Sequence, residues 1–68
     1  MNTNYKKLSG NGIVIELHQQ GNVISYAMKG SGISEQVGTT RQTEADLLDV
    51  LLAPIGMKAN GDKIVANA

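Results

Sequence analysis

The first regular signal along the chain is strict alternation. After Gly12, the residues Ile13, Ile15 and Leu17 fall on one side of an extended segment and Val14, Glu16 and His18 on the other, the period of two that a half-buried strand requires. Gln19-Gln20-Gly21-Asn22 reads as a turn. Alternation resumes over residues 23–28, with the larger Ile24, Tyr26 and Met28 directed to the core and Val23, Ser25 and Ala27 opposite. The two segments predict a β-hairpin. Lys29-Gly30-Ser31-Gly32 marks a second turn, and residues 33–37 predict a third, edge-like strand that Gly38 breaks. Glu35 is expected on the same face as Ile33 and Val37, where a charge protects an edge from pairing with another chain.

The pattern then changes period. Thr43 followed by Glu44-Ala45-Asp46 places a hydroxyl N-cap and an acid three positions later, as in a capping box with Asp for the usual Glu or Gln. Acids in the first turns also suit the positive end of the helix dipole. Leu47, Leu48, Leu51 and Leu52 follow at helical spacing, and Pro54 stops the helix by biasing Ala53 away from α geometry. Asn60-Gly61 is a tight-turn pair, and Ile64 and Val65 predict a short last strand. The fold class expected is therefore α+β, a three-stranded antiparallel meander packed on one helix with a short C-terminal β segment, in the order β-β-β-α-β. The sequence reads as a single domain over residues 1–68, without internal repeat or linker, with fraying expected at residues 1–5 and 66–68.

On a helical wheel the apolar arc from Ala45 through Leu47, Leu48, Leu51 and Leu52 spans roughly 160°, and Val50 widens it, whereas a helix on one small sheet needs about 100°. Something beyond a three-stranded sheet has to cover the surplus. The candidates are the C-terminal tail through Ile55, Met57, Ile64 and Val65, a second copy of the chain, or a foreign partner. Leu47, Val50 and Leu51 are the interface residues this reading selects.

Composition bears on that choice. In 68 residues with no Cys and only two Tyr as aromatics, apolar burial and ordering entropy nearly cancel, and no disulfide or thiolate metal site makes up the difference. Homodimerisation is the remaining staple. Net charge is zero but unevenly placed, at +2 over residues 1–41, −3 over 42–53 and +1 beyond. Glu44, Asp46 and Asp49 form the acidic patch, whose spacing could imitate phosphates before a basic groove. Lys6, Lys7, Lys29 and Arg41 are the candidate contacts to nucleic acid, although neutrality disfavours that class. No secretory or membrane segment is visible, since the longest aliphatic runs fall far short of the ~20 residues of a span. A cytoplasmic location and no membrane partner are expected.

Candidate chemistry is sparse. His18, the single histidine, has no serine at a telling spacing and only Glu16 beside it on its face, too few ligands for a metal. Gly30-Ser31-Gly32 lacks the spacing and following helix of a phosphate-binding loop. No enzymatic activity, metal or cofactor is predicted. A three-stranded sheet followed by a helix resembles the arm-binding domains of tyrosine recombinases, and Val37-Gly38-Thr39-Thr40-Arg41-Gln42-Thr43-Glu44-Ala45 resembles the strand-to-helix junction of that family. The resemblance implies DNA binding, with the sheet entering the major groove. Against it, the exposed face offers Val14, Glu16, His18, Ser25 and Gln36 rather than a run of cations and aromatics, and base edges are read by outward Arg, Asn or Gln. The leading expectation is a non-enzymatic protein-protein interaction module, homodimeric, that sterically occupies a partner surface. In economy of length it is similar to small accessory and inhibitor proteins of phages and plasmids.

Overall fold

A computed structural model describes residues 3–67. The chain forms β1 (Thr3–Gly10), β2 (Ile13–Gln20), β3 (Val23–Gly30) and β4 (Ile33–Thr40), then α1 (Glu44–Leu52) with a single 3-10 turn (Ala53–Ile55), then β5 (Met57–Asn60) and β6 (Lys63–Ala66). All six strands belong to one sheet in the order β4-β3-β2-β1-β6-β5. Neighbours are antiparallel except β1 and β6, which run parallel. This overturns the expected β-β-β-α-β order: the meander has four strands, and the tail is a hairpin rather than one segment.

The strands of the meander begin at residues 3, 13, 23 and 33, each eight residues long and separated by a two-residue turn. The chain therefore has a ten-residue metre that the expectation of no repeat missed. Its turns are Asn11-Gly12, Gly21-Asn22 and Ser31-Gly32. In the first, φ is positive at both residues, 52° and 77°, the backbone twist that a tight hairpin needs. Ordered pairing reaches into both stretches expected to fray, since residues 3–5 pair with 18–20 and Ala66 with Met57. Met1, Asn2 and Ala68 lie outside the described residues.

One face of the sheet carries the core. Ile13, Ile15 and Leu17 of β2 and Ile24 and Met28 of β3 are buried, as alternation predicts, together with Leu8 of β1 and Ile64 of β6. Tyr26 packs against this cluster from its margin. α1 lies over the same face and buries Leu47, Leu48, Leu51 and Leu52. Its start is fixed by Thr43, whose hydroxyl oxygen accepts from the Asp46 backbone N–H at 3.2 Å, and Pro54 turns its end into the 3-10 segment. The surplus apolar arc is covered from within the chain: Ile64 enters the core, and Ile55, Met57 and Ala59 pack on its flank.

Two departures in β4 have local causes. The strand continues through Gly38, because Gly38 pairs with Tyr26 and the phenol ring lies over it; a Cβ there would come within 2.9 Å of the Tyr26 oxygen. Between Met28 and Gly30 the pairing slips by one residue, a bulge that reverses the facing of the strand. Ile33 accordingly packs on the core while Val37, on the other side, is 71% exposed. Glu35 shares a face with Val37 and not with Ile33.

At the seam between β1 and β6, Gly10 has a φ of 153°. A Cβ at Gly10 would run into the Ile64 carbonyl oxygen. That same oxygen accepts from Asn11 Nδ2 at 2.9 Å, and the Ser9 N–H donates to the Asp62 carbonyl at 3.1 Å. The seam closes only because position 10 has no side chain.

Candidate interaction surface

With α1 packed on one side of the sheet, the opposite face of the meander carries no covering element among the described residues. Alternation decides its residues: where Ile15 and Leu17 turn inward, Glu16 and His18 turn outward. Register then aligns them in rows across the strands. One row is Tyr5, His18, Ser25 and Thr39, and the next is Lys7, Glu16, Ala27 and Val37.

Within these rows the β1–β2 side is built up and the middle is low. The Tyr5 hydroxyl donates to Glu16 Oε2 at 2.7 Å, and the Tyr5 ring lies 4.8 Å from the His18 imidazole at a tilt of 56°. The hydrogen bond to Glu16 holds the Tyr5 phenol above its ordinary pKa of 10.0, with desolvation and the carboxylate charge acting in the same direction. Because Ser25 and Ala27 are small, they floor a shallow hollow of about 230 Å³ beside Glu16 and His18. Tyr5, 53% exposed, and Val37 stand as apolar mass on either side of it.

A second hollow, of about 320 Å³, lies between the N-terminal half of α1 and the β5–β6 hairpin, lined by Lys6, Glu44, Leu48, Asp49 and Lys58 among others. Lys6 Nζ pairs with Glu44 Oε2 at 2.8 Å across it. Both charges are partly solvated, so the pair contributes at most about 1 kcal/mol.

The structure separates several residues that the sequence grouped. Leu47 and Leu51 are inside the chain's own core, leaving Val50, 56% exposed, as the surface member of that trio. Of the acidic patch, Glu44 is tied to Lys6, while Asp46 and Asp49 are solvated. The four candidate phosphate contacts do not converge. Lys6 reaches the helix side, Lys7 and Lys29 belong to the uncovered face, and Arg41 lies beyond the end of β4. Lys7 is directly opposite Glu16. Gln36, paired with Met28, is on the helix side rather than the uncovered one.

Tyr5 is the functional candidate that the sequence reading missed, since it fell in a stretch expected to fray. The ten-residue spacing of the turn pairs was the available signal, because it extends one strand upstream of residue 13. Among the described residues, no three His, Asp or Glu side chains gather to hold a metal ion, and no helix is long and apolar enough to cross a membrane. No protein-family model, curated protein or solved structure matches the chain.

Proposed function

We propose that this chain is a non-enzymatic protein-interaction module whose working surface is the uncovered sheet face, and that it acts by sterically occupying a surface of a partner protein. The observation that carries the reading is the face itself: exposed Tyr5 and Val37 flank a hollow floored by Ser25 and Ala27. An aromatic anchor beside small residues, within a polar surround, is the make-up of a protein-binding patch. Its charges are of both signs, Lys7 and Lys29 with Glu16 and Glu35. That mixture suits a protein surface better than a phosphate backbone, which selects convergent cations.

The test is affinity capture from the native host with tagged wild type and variants, repeated with the purified captured protein. Ala27→Arg fills the hollow and Tyr5→Ala removes the ring that braces Glu16 and His18 at its side, and both changes lie on the uncovered face. Each is expected to abolish binding, whereas Val50→Asp on the outer side of α1 leaves it intact. Binding that survives both face variants, or a salt-sensitive affinity for duplex DNA in place of a protein partner, overturns the proposal.

A further inference from the structure

The edge of the sheet at β4 differs from an ordinary protected edge. It is eight residues long, with no proline or lysine and a single acid, Glu35, and its one bulge lies near its start, leaving Gln36–Thr40 in regular pairing, whereas exposed edges are usually shortened, charged or interrupted. Which of its backbone groups are unpaired follows from the turns. Gln20 and Val23 flank the two-residue turn between β2 and β3, and the pair closing such a turn exchanges both backbone hydrogen bonds. Alternation from that pair turns the peptide groups of Ile24, Tyr26 and Met28 toward β4, where their partners are Thr40, Gly38 and Gln36. Glu35, Val37 and Thr39 are left directing N–H and C=O away from the sheet.

We propose that two copies of this chain join along β4, antiparallel about a two-fold axis at Gly38, into one continuous sheet. Outward-directed residues have to meet outward-directed residues, which restricts the register to odd positions opposite odd positions. About Gly38, Val37 meets Thr39 of the second copy, and Glu35 comes level with Arg41 one residue past the end of the second copy's β4, so opposite charges approach twice. The adjacent register, about Val37, sets Glu35 opposite Thr39 and leaves Arg41 opposite Ile33. Strand pairs favour opposite charges in direct opposition, which selects Gly38. There the two backbones approach without side chains between them, and the Tyr26 rings already leaning over Gly38 fill the space on the helix side. The joint shares Val37 and Glu35 with the partner-binding face, but the hollow over Ser25 and Ala27 is lined by residues of β2 and β3 alone and stays open in the joined sheet.

Sedimentation equilibrium of the full chain across the micromolar range tests it, with a dimer expected. Glu35→Arg and Arg41→Glu each set like charges opposite one another and are expected to weaken the dimer about tenfold, while the combined swap restores it. Val37→Pro removes an N–H that no neighbouring strand uses and is expected to give a folded monomer by circular dichroism. Should that variant fail to fold, the charge-swap set decides alone. A wild-type monomer throughout the range, or a dimer indifferent to both single reversals, overturns the proposal. Ala27→Arg is expected to leave the dimer intact, so loss of a partner protein and loss of self-association are read separately.

Discussion

Gly10→Ala should be among the most damaging single-methyl additions this fold can receive. The new Cβ meets the Ile64 carbonyl oxygen, which is backbone and has no rotamer to change, at a φ of 153° that side-chain-bearing residues avoid. Holding that backbone conformation costs about 1–2 kcal/mol. Relieving the contact means moving β6 off β1, which gives up the Asn11 bond to Ile64 and the Ser9 bond to Asp62 at about 1 kcal/mol each. It also re-exposes part of Ile64, whose full burial is worth about 1.5–3 kcal/mol. The loss adds to about 4 kcal/mol, against a total stability on the order of 3–10 kcal/mol for a chain of this size. Urea unfolding followed by circular dichroism should show the midpoint fall by at least about two-fifths. Gly38→Ala is the internal control. Its neighbour is the far end of the Tyr26 side chain, which can swing aside, so the cost should stay below about 1 kcal/mol. A Gly10→Ala loss under about 1 kcal/mol, or a Gly38→Ala loss as large as that of Gly10→Ala, would refute the account of the seam.

Other consequences are open to measurement. Thr43→Ala removes the acceptor for the Asp46 N–H and should cost about 1 kcal/mol in the same urea assay. Leu47→Asp puts a carboxylate in the core and should unfold the chain, while Val50→Asp should shift stability by no more than about 1 kcal/mol; thermal melts of the two variants check the contrast. The Tyr5 phenol should titrate above 10.0 in the folded protein, followed by tyrosinate absorbance in a Tyr26→Phe background, with Glu16→Leu lowering the midpoint. Because the folded state favours the protonated phenol, its contribution to stability is fully present below the unfolded pKa and is lost as pH rises through the raised folded value.

What was legible in the sequence was what carries its own apolar pattern. β2 and β3 each place three large residues at alternating positions, and their facing follows directly. The start of α1 was equally plain, because Thr43 and Asp46 are spaced for a bond that the helix needs. β1 carries no such pattern: its helix-side positions include Lys6, Leu8 and Gly10, a single large apolar residue, and its place comes from pairing with β2 and β6 on either side. Gly38 reads as a strand breaker because a glycine gives no sign of the ring that covers it from the next strand. The facing of Ile33 was lost to a bulge, a one-residue slip that no periodicity records. At the candidate surface, Glu16, His18 and Ser25 were recognisable as the outward set of β2 and β3. Tyr5 was not, because β1 has too little apolar alternation to read as a strand and its first residues were expected to fray.

The parallel contact of β1 with β6 bears on the order of folding. The meander can grow by local hairpins, each closed by a two-residue turn, but the seam joins Asn11 to Ile64 across a separation of 53 residues. Loop closure of that length carries the largest entropic cost in the sheet and delays the contacts that reward it. The meander and α1 can therefore collapse while the far side of β1 is still unpaired and Leu8 incompletely covered. Residues 63–66 then complete the native sheet, and substitutions beside Gly10 are expected to slow folding more than substitutions within the helix.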